Sequence, residues 1–361
     1  MNRLQVKHGK NGLDVRANAK AAGLRYISDS TPGYSREATN NGFRYRDADG
    51  KIVRSKALID RFNKLVIPPA YKNVWISPIE NGHLLFTGLD AAGRKQYRYH
   101  TAWNQLRNHA KYDRMQLFAS FLPMIRTQVD RDLRRRDLHH DKVVALVVRL
   151  MELTSIRIGN KCYRRLYGSY GLTTLQDRHV KIDGANLKFE FKGKKGIVHR
   201  VHLYSKRMAR LVKQCRDIPG KELFQYYDEN GQRQCVDSGD VNEYLKKITA
   251  EDFTAKDFRT WAGSVSALYA FKEAGEFTSI SDCKKKIVNA LDEVAINLGN
   301  TRTVCKKYYV HPAIIKSYEE GSIYKYLENL EEDMPADSAE LSLAEKALIE
   351  LVTKERIELA C

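Results

Sequence analysis

The 361-residue chain lacks a long apolar run, a paired set of cysteines and every common nucleotide or metal signature. Its best apolar stretch, residues 143–150, is interrupted by Arg149 and falls well short of the ~18 residues that a membrane-spanning helix requires. The first twenty residues carry no apolar core of a secretory leader. Six cysteines (Cys162, Cys215, Cys235, Cys283, Cys305, Cys361) are scattered without a CxxC pair, which predicts reduced thiols and neither a disulfide framework nor a zinc site. No GxxxxGK[ST] and no HExxH is present. The one adjacent histidine pair, His139 and His140, has no carboxylate at ligand spacing and reads as a solvated helix start. These absences predict a soluble, cytoplasmic protein and, if it is an enzyme, one that works with no cofactor, no ATP and no bound metal.

What is abundant is positive charge. Lys and Arg number 62 against 44 Asp and Glu, a net of +18. Residues 319–361 hold twelve acidic and four basic residues, a net of −8, so the preceding body carries +26. A body so charged calls for a polyanionic partner. With 43% hydrophobic residues it can still bury a core, which excludes a disordered basic tail.

The pattern along the chain predicts an α+β protein. Residues 1–40 are polar and read as an arm with little structure. Residues 41–103 read as a small antiparallel-sheet domain: a hairpin of residues 43–46 and 51–53 across Asp49 and Gly50, a short helix over 57–65, and strands at 73–77, 84–89 and 94–100. Residues 104–335 switch to helical period, with a core helix over 140–153 and a β interruption at 180–203. Thr254 with Asp257, and Ser279 with Asp282, are capping-box starts. Residues 336–361 read as an acidic terminal helix, expected to keep the surface from sticking to nucleic acid.

Among the basic residues, Arg94, Lys95, Gln96, Tyr97, Arg98 and Tyr99 alternate cations with aromatics. Such a strand can grip phosphates and stack rings on bases, or be an ordinary exposed sheet face. Arg131–Arg136 reads as a solvated helix face. Arg157 lies in a Gly-containing elbow between two helices, and Arg259 near the start of an otherwise apolar helix, where a guanidinium is costly to bury unless it meets an anion. Taken singly, each fits a structural ion pair better than a catalytic group. Lys194 sits at a hairpin tip, where a lysine is ordinarily a flexible surface residue. Tyr308 and Tyr309 follow Lys306 and Lys307, just ahead of Pro312. Two arginines, a mobile lysine and a tyrosine suffice for phosphoryl transfer through a phosphotyrosine.

In that order these residues resemble the type IB DNA topoisomerases, in the compact form of poxviruses and bacteria. The resemblance runs from about residue 43 to 312 through IPPAYKNVWI, GRKQYRYH, SIRIGN, FKGKKG, KDFRTWAGS and LGNTRTVCKKYYVHP. It implies a mostly helical catalytic domain behind a sheet domain, the two closing around duplex DNA, and a monomer acting in the cytoplasm, on the nucleoid if bacterial. It also implies that Arg157 and Arg259 clamp the scissile phosphate, that Lys194 protonates the departing 5′-oxygen, and that Tyr309 is the nucleophile. Asn300 stands where poxviral members carry His and bacterial members Asn. An amide there can donate a hydrogen bond but cannot act as acid or base. Gln96, Tyr97 and Tyr99 match DNA-contacting positions of the sheet domain, and Tyr163 a position on a helix that faces the major groove. Tyrosine recombinases share the Arg–Lys–Arg–Tyr chemistry but usually carry a helical DNA-binding domain in front. A non-enzymatic basic DNA binder would account for the charge but not for the ordered motifs.

Overall fold

The structure is a computed structural model and describes residues 8–9, 12–13, 15–40, 42–91, 93–328, 330 and 338–358. The chain divides into two compact units, residues 1–112 and 113–361.

The first unit holds β1 (His8–Gly9), β2 (Gly12–Leu13), α1 (Val15–Ala21), β3 (Tyr34–Thr39), β4 (Gly42–Arg46), α2 (Lys56–Lys64), β5 (Lys72–Ile76), β6 (Leu84–Leu89) and β7 (Lys95–Tyr99). It also holds the start of α3 (Thr101–Leu133). Strands β3 to β7 form one antiparallel sheet in the order β4-β3-β5-β6-β7. Phe62 of α2 is almost fully buried on this sheet, its ring 4.9 Å from those of both Tyr34 and Tyr45. A second cluster gathers Ala19, Leu24, Trp103 and Leu106.

Two expectations change here. The unstructured arm gives way from Val15 onward to α1 and β3, and β3 takes a central place in the sheet; residues 1–7, 10, 11 and 14 lie outside the described residues. The expected hairpin of residues 43–46 with 51–53 shrinks to one bridge, Arg46 to Ile52, because β3 is the true partner of β4. Strand β3 reads YSREAT and buries no residue fully, so its polarity disguised it as loop.

The second unit is mostly helical. From α3 it continues through α4 (His140–Thr154), α5 (Lys161–Tyr167), β8 (Val180–Asp183), β9 (Asn186–Lys192), β10 (Val198–Tyr204) and α6 (Lys206–Arg216). A small hairpin of β11 (Gln225–Tyr227) and β12 (Arg233–Cys235) precedes α7 (Ser238–Thr249), α8 (Ala255–Ala274) and α9 (Ile280–Leu298). Then come α10 (Arg302–Tyr308), α11 (Pro312–Glu319), α12 (Tyr324–Leu327) and α13 (Leu343–Glu358).

Helix α4 is buried at every position from Lys142 to Met151. Apart from Lys142 and Arg149 this stretch is apolar, as suits a helix covered on every side, and the burial holds its C-terminal end in a fixed place. Strand β9 alternates, turning Leu187, Phe189 and Phe191 inward. One expected capping box forms, Thr254 with Asp257 on α8; at α9 only half of the other does, Ser279 Oγ accepting from the Asp282 amide at 3.1 Å while the Asp282 carboxylate accepts from the Thr278 amide at 3.1 Å.

The acidic terminal helix has a packing role that its charge does not announce. Ala344, Leu348, Leu351 and Val352 are buried. Glu345, itself 6% exposed, accepts from Trp261 Nε1 at 2.8 Å and from Arg126 at 2.7 and 3.0 Å. Arg126 in turn reaches Glu152 of α4 at 2.6 Å. Burial works to raise the Glu345 carboxyl, but Arg126 and Trp261 outweigh it and hold the group below the ordinary glutamate value. Glu345→Ala strips the buried Arg126 and Trp261 of a shared acceptor and is predicted to cost about 3 kcal/mol in urea denaturation; a loss under ~1 kcal/mol would mean that water already screens this network.

Candidate active site

Helix α4 stops at Ser155, which takes a left-handed conformation (φ 53°), and the chain turns into the elbow that carries Arg157. Two backbone bonds fasten the elbow to the next loop: Leu172 N–H donates to the Arg157 carbonyl (2.8 Å) and Thr173 N–H to the Ile158 carbonyl (2.7 Å). Gly171 lies so close that a β-carbon there would overlap the Arg157 carbonyl. With its backbone fixed, Arg157 donates through Nη2 to the Gly299 carbonyl (3.2 Å) and to Asn300 Oδ1 (2.5 Å).

Arg259 is one turn into α8 and 4% exposed. Its Nη1 donates to the Ser155 carbonyl and its Nη2 to the Leu298 carbonyl at 2.8 Å. Both arginines are thus held by carbonyls at the C-terminal ends of α4 and α9, which lack helical partners and carry the negative end of the helix dipole. Helix α9 finishes at Gly299 with φ 56°, a conformation in which glycine carries no side-chain penalty.

Tyr309 closes α10 as its C-cap. Its ring lies 5.2 Å from the Arg259 guanidinium, and its carbonyl accepts from Ser264 Oγ of α8 at 3.1 Å. Gly263 permits that approach, since a β-carbon there would come within 2.9 Å of the Tyr309 carbonyl. Tyr308 is 40% exposed, with Lys307 5.4 Å from its ring centre. Four of the five sequence candidates, Arg157, Arg259, Asn300 and Tyr309, therefore meet. Lys194 does not join them by any hydrogen bond among the described residues; it stands exposed at the tip between β9 and β10.

Buried polar atoms without a hydrogen-bond partner collect here: Arg157 Nη1, Arg259 Nε, Asn300 Nδ2 and His199 Nε2. Three of them are obligatory donors, which is the negative image of an anion. Burial first, and then the like charge of Arg259, pull the Arg157 guanidinium down to about 10. Burial likewise lowers Arg259 and raises the neighbouring Cys305 thiol to about 11. An oxyanion placed among these donors would offset the desolvation and raise both guanidiniums back toward their ordinary values.

A family profile described as eukaryotic DNA topoisomerase I, catalytic core, matches residues 100–334, and one described as bacterial DNA topoisomerase IB, N-terminal domain, matches residues 42–90. A protein of Acanthamoeba polyphaga mimivirus named DNA topoisomerase 1B is 30% identical over 308 residues, 83% of this chain and 91% of its own length. The chain belongs to the type IB DNA topoisomerases. A vaccinia virus DNA topoisomerase 1B is 24% identical over 251 residues (68% and 75% of the two chains). A rabbit fibroma virus DNA topoisomerase 1 is 25% identical over 241 residues (64% and 71%).

As a topoisomerase sheet domain, the first unit presents its stripe on β7, an edge strand. Two of the stripe's cations are engaged: Arg94 pairs with Asp90 at 2.7 Å and Lys95 with Asp29 at 2.5 Å. Gln96 donates to Asp90 at 2.9 Å. Tyr97 and Tyr99 lie nearly parallel, 6.1 Å apart at 6°, and Tyr97 is half exposed. In the second unit Tyr163 is exposed on α5, the helix expected to follow the elbow. No helix among the described residues is long and apolar enough to cross a membrane.

Sequence reasoning missed His199. Its position on β10, level with Phe191 of β9, is set by strand register rather than by any local motif. Burial, and then Arg157 and Arg259, lower its imidazole to about 4, so the ring is neutral at physiological pH. Between about pH 6.5 and 4 the unfolded chain binds a proton there that the folded chain does not, and stability falls as pH drops through that window. His199→Gln is predicted to flatten the melting temperature against pH across this range; an unchanged slope would show that the folded ring protonates freely.

Proposed function

We propose that the chain relaxes supercoiled duplex DNA by nicking one strand, letting the free end rotate and resealing. The observation that carries this reading is the convergence of the Arg157 and Arg259 guanidiniums, with their buried unpartnered donor atoms, beside Tyr309. The scissile phosphate would sit against Arg157, Arg259 and Asn300. Tyr309 Oη attacks phosphorus, its proton passing to solvent, and the P–O5′ bond breaks as Lys194 delivers a proton to O5′. The product is a 3′-phosphotyrosine and a free 5′-hydroxyl. After rotation the 5′-hydroxyl attacks phosphorus, its proton returning to Lys194, and the bond to Tyr309 Oη breaks as that oxygen regains a proton from solvent. One phosphodiester is exchanged for another, so the cycle needs no ATP. Charge that grows on the non-bridging oxygens is met by fixed, buried donor atoms, which act more strongly than donors in water. The proton from Lys194 does what a metal would otherwise do for the alkoxide leaving group.

Tyr309 rather than Tyr308 fits the nucleophile, because Arg259 faces the Tyr309 ring while Tyr308 turns to solvent. The Tyr97 and Tyr99 pair suits stacking or sugar contact along the duplex, with Tyr163 contributing from the catalytic unit. The reading is of a monomer that acts on any supercoiled circle, in the cytoplasm where such DNA is found.

Tyr309→Phe is expected to abolish the protein–DNA adduct on a denaturing gel while duplex affinity stays within about threefold, since the lost hydroxyl acts in the chemical step. Tyr308→Phe should retain relaxation. The reverse outcome would move the nucleophile to Tyr308. Relaxation should also persist in EDTA without ATP, and its loss there would overturn the metal-free scheme.

A further inference from the structure

Besides one backbone bond, from Tyr170 N–H to the Lys192 carbonyl at 2.8 Å, the hairpin that bears Lys194 meets the site through the ring of His199. His199 pairs with Phe191 across β9 and β10, and the two rings stack 5.1 Å apart at 5°. The imidazole edge is enclosed by two glycines. A β-carbon on Gly193 would lie 2.5 Å from His199 Cδ2 and 2.6 Å from Nε2, and one on Gly299 would overlap Cε1. Gly193 immediately precedes Lys194, and Gly299 immediately precedes Asn300. The Gly299 carbonyl is also an acceptor for Arg157. The tip's own backbone bonds, Gly193 N–H to Ile197 (2.7 Å) and Gly196 N–H to Gly193 (3.1 Å), are internal to the hairpin and do not fix its distance from the arginines.

We propose that His199 is a positioning residue: a flat spacer, braced by Phe191 and seated between Gly193 and Gly299, that sets where Lys194 stands relative to the phosphate held by Arg157 and Asn300. The inference rests on the reading of Lys194 as the acid that protonates O5′. Both glycines are needed because any side chain at either position would enter the volume of the ring. The ring must also remain uncharged, since Arg157 and Arg259 face it from the elbow and from α8 and Lys194 follows from the tip.

A spacer and a general structural support differ in one readout. Replacing O5′ at the scissile phosphate by sulfur gives a leaving group that departs as a thiolate without a proton. Single-turnover cleavage of a suicide duplex would be measured with oxygen and with sulfur at that position. His199→Ala is expected to slow the oxygen substrate by about 100-fold, the cost of a misplacement near 1 Å, and to cleave the sulfur substrate within about fivefold of the unaltered enzyme. Lys194→Ala should show the same rescue, and Arg157→Ala should be slow on both. His199→Gln, which keeps a flat polar group, should recover at least about tenfold on oxygen. Gly299→Ala pushes against the ring from the other side and should reproduce the His199→Ala pattern, while the double variant should be no worse than either single one. If His199→Ala is equally slow on both substrates while Lys194→Ala is rescued, the spacer role is wrong and the acid stands. If neither is rescued, Lys194 is not the acid and the inference falls with it.

Discussion

Two guanidiniums drawn to the same helix ends, Arg259 buried and Arg157 half-buried, are the constraint on which the catalytic unit depends. Like charges in a poorly solvated place repel strongly, and Arg157 and Arg259 persist there because the open carbonyl ends of α4 and α9 converge on them through Ser155, Leu298 and Gly299. That arrangement requires both helices to end at fixed points. Helix α4 meets the requirement by being buried along most of its length. Helix α9 meets it by terminating in a left-handed glycine. The carbonyls satisfy only part of what the arginines offer, and the unsatisfied part faces the same place as Tyr309.

The remaining parts of the site come from elements far apart in sequence, so their accuracy depends on packing rather than on local turns. Gly263 lets α8 approach the backbone of Tyr309, Gly171 lets a loop lock the elbow, and Gly193 with Gly299 admits the His199 ring. Each is a close approach that one methyl group would prevent. The buried ion network of Arg126, Glu152 and Glu345 ties α3 and α13 to α4 and α8, so the C-terminal helix supports the same two helices that carry the arginines.

Local chemistry made much of this readable in the sequence. The caps of α8 and α9, the strands β5 to β10 and the largely apolar α4 each follow from neighbouring residues, and the ordered motifs pointed to Arg157, Lys194, Arg259, Asn300 and Tyr309. What stayed hidden depends on distant partners. Strand β3 is too polar to show a buried face and is a strand because Val74 to Ile76 pair with it. Helix α13 packs through Ala344, Leu348, Leu351 and Val352 and is tied in by Glu345, whereas the acidic composition of the segment suggested a solvent-facing role. His199 needs both strand register and a turn a hundred residues away before it means anything.

The most direct test of the account is whether the two arginines act on the charge of the phosphate oxygens. Single-turnover cleavage can be compared on a duplex with an ordinary scissile phosphate and on one with a methylphosphonate there, which removes one oxygen charge while keeping the geometry. The account predicts that at least one of Arg157→Ala and Arg259→Ala, the one facing the replaced oxygen, costs about 10²–10³ on the phosphodiester and less than about tenfold on the neutral linkage. Equal losses on both substrates for both variants would mean that the guanidiniums only hold the fold together, and would contradict it.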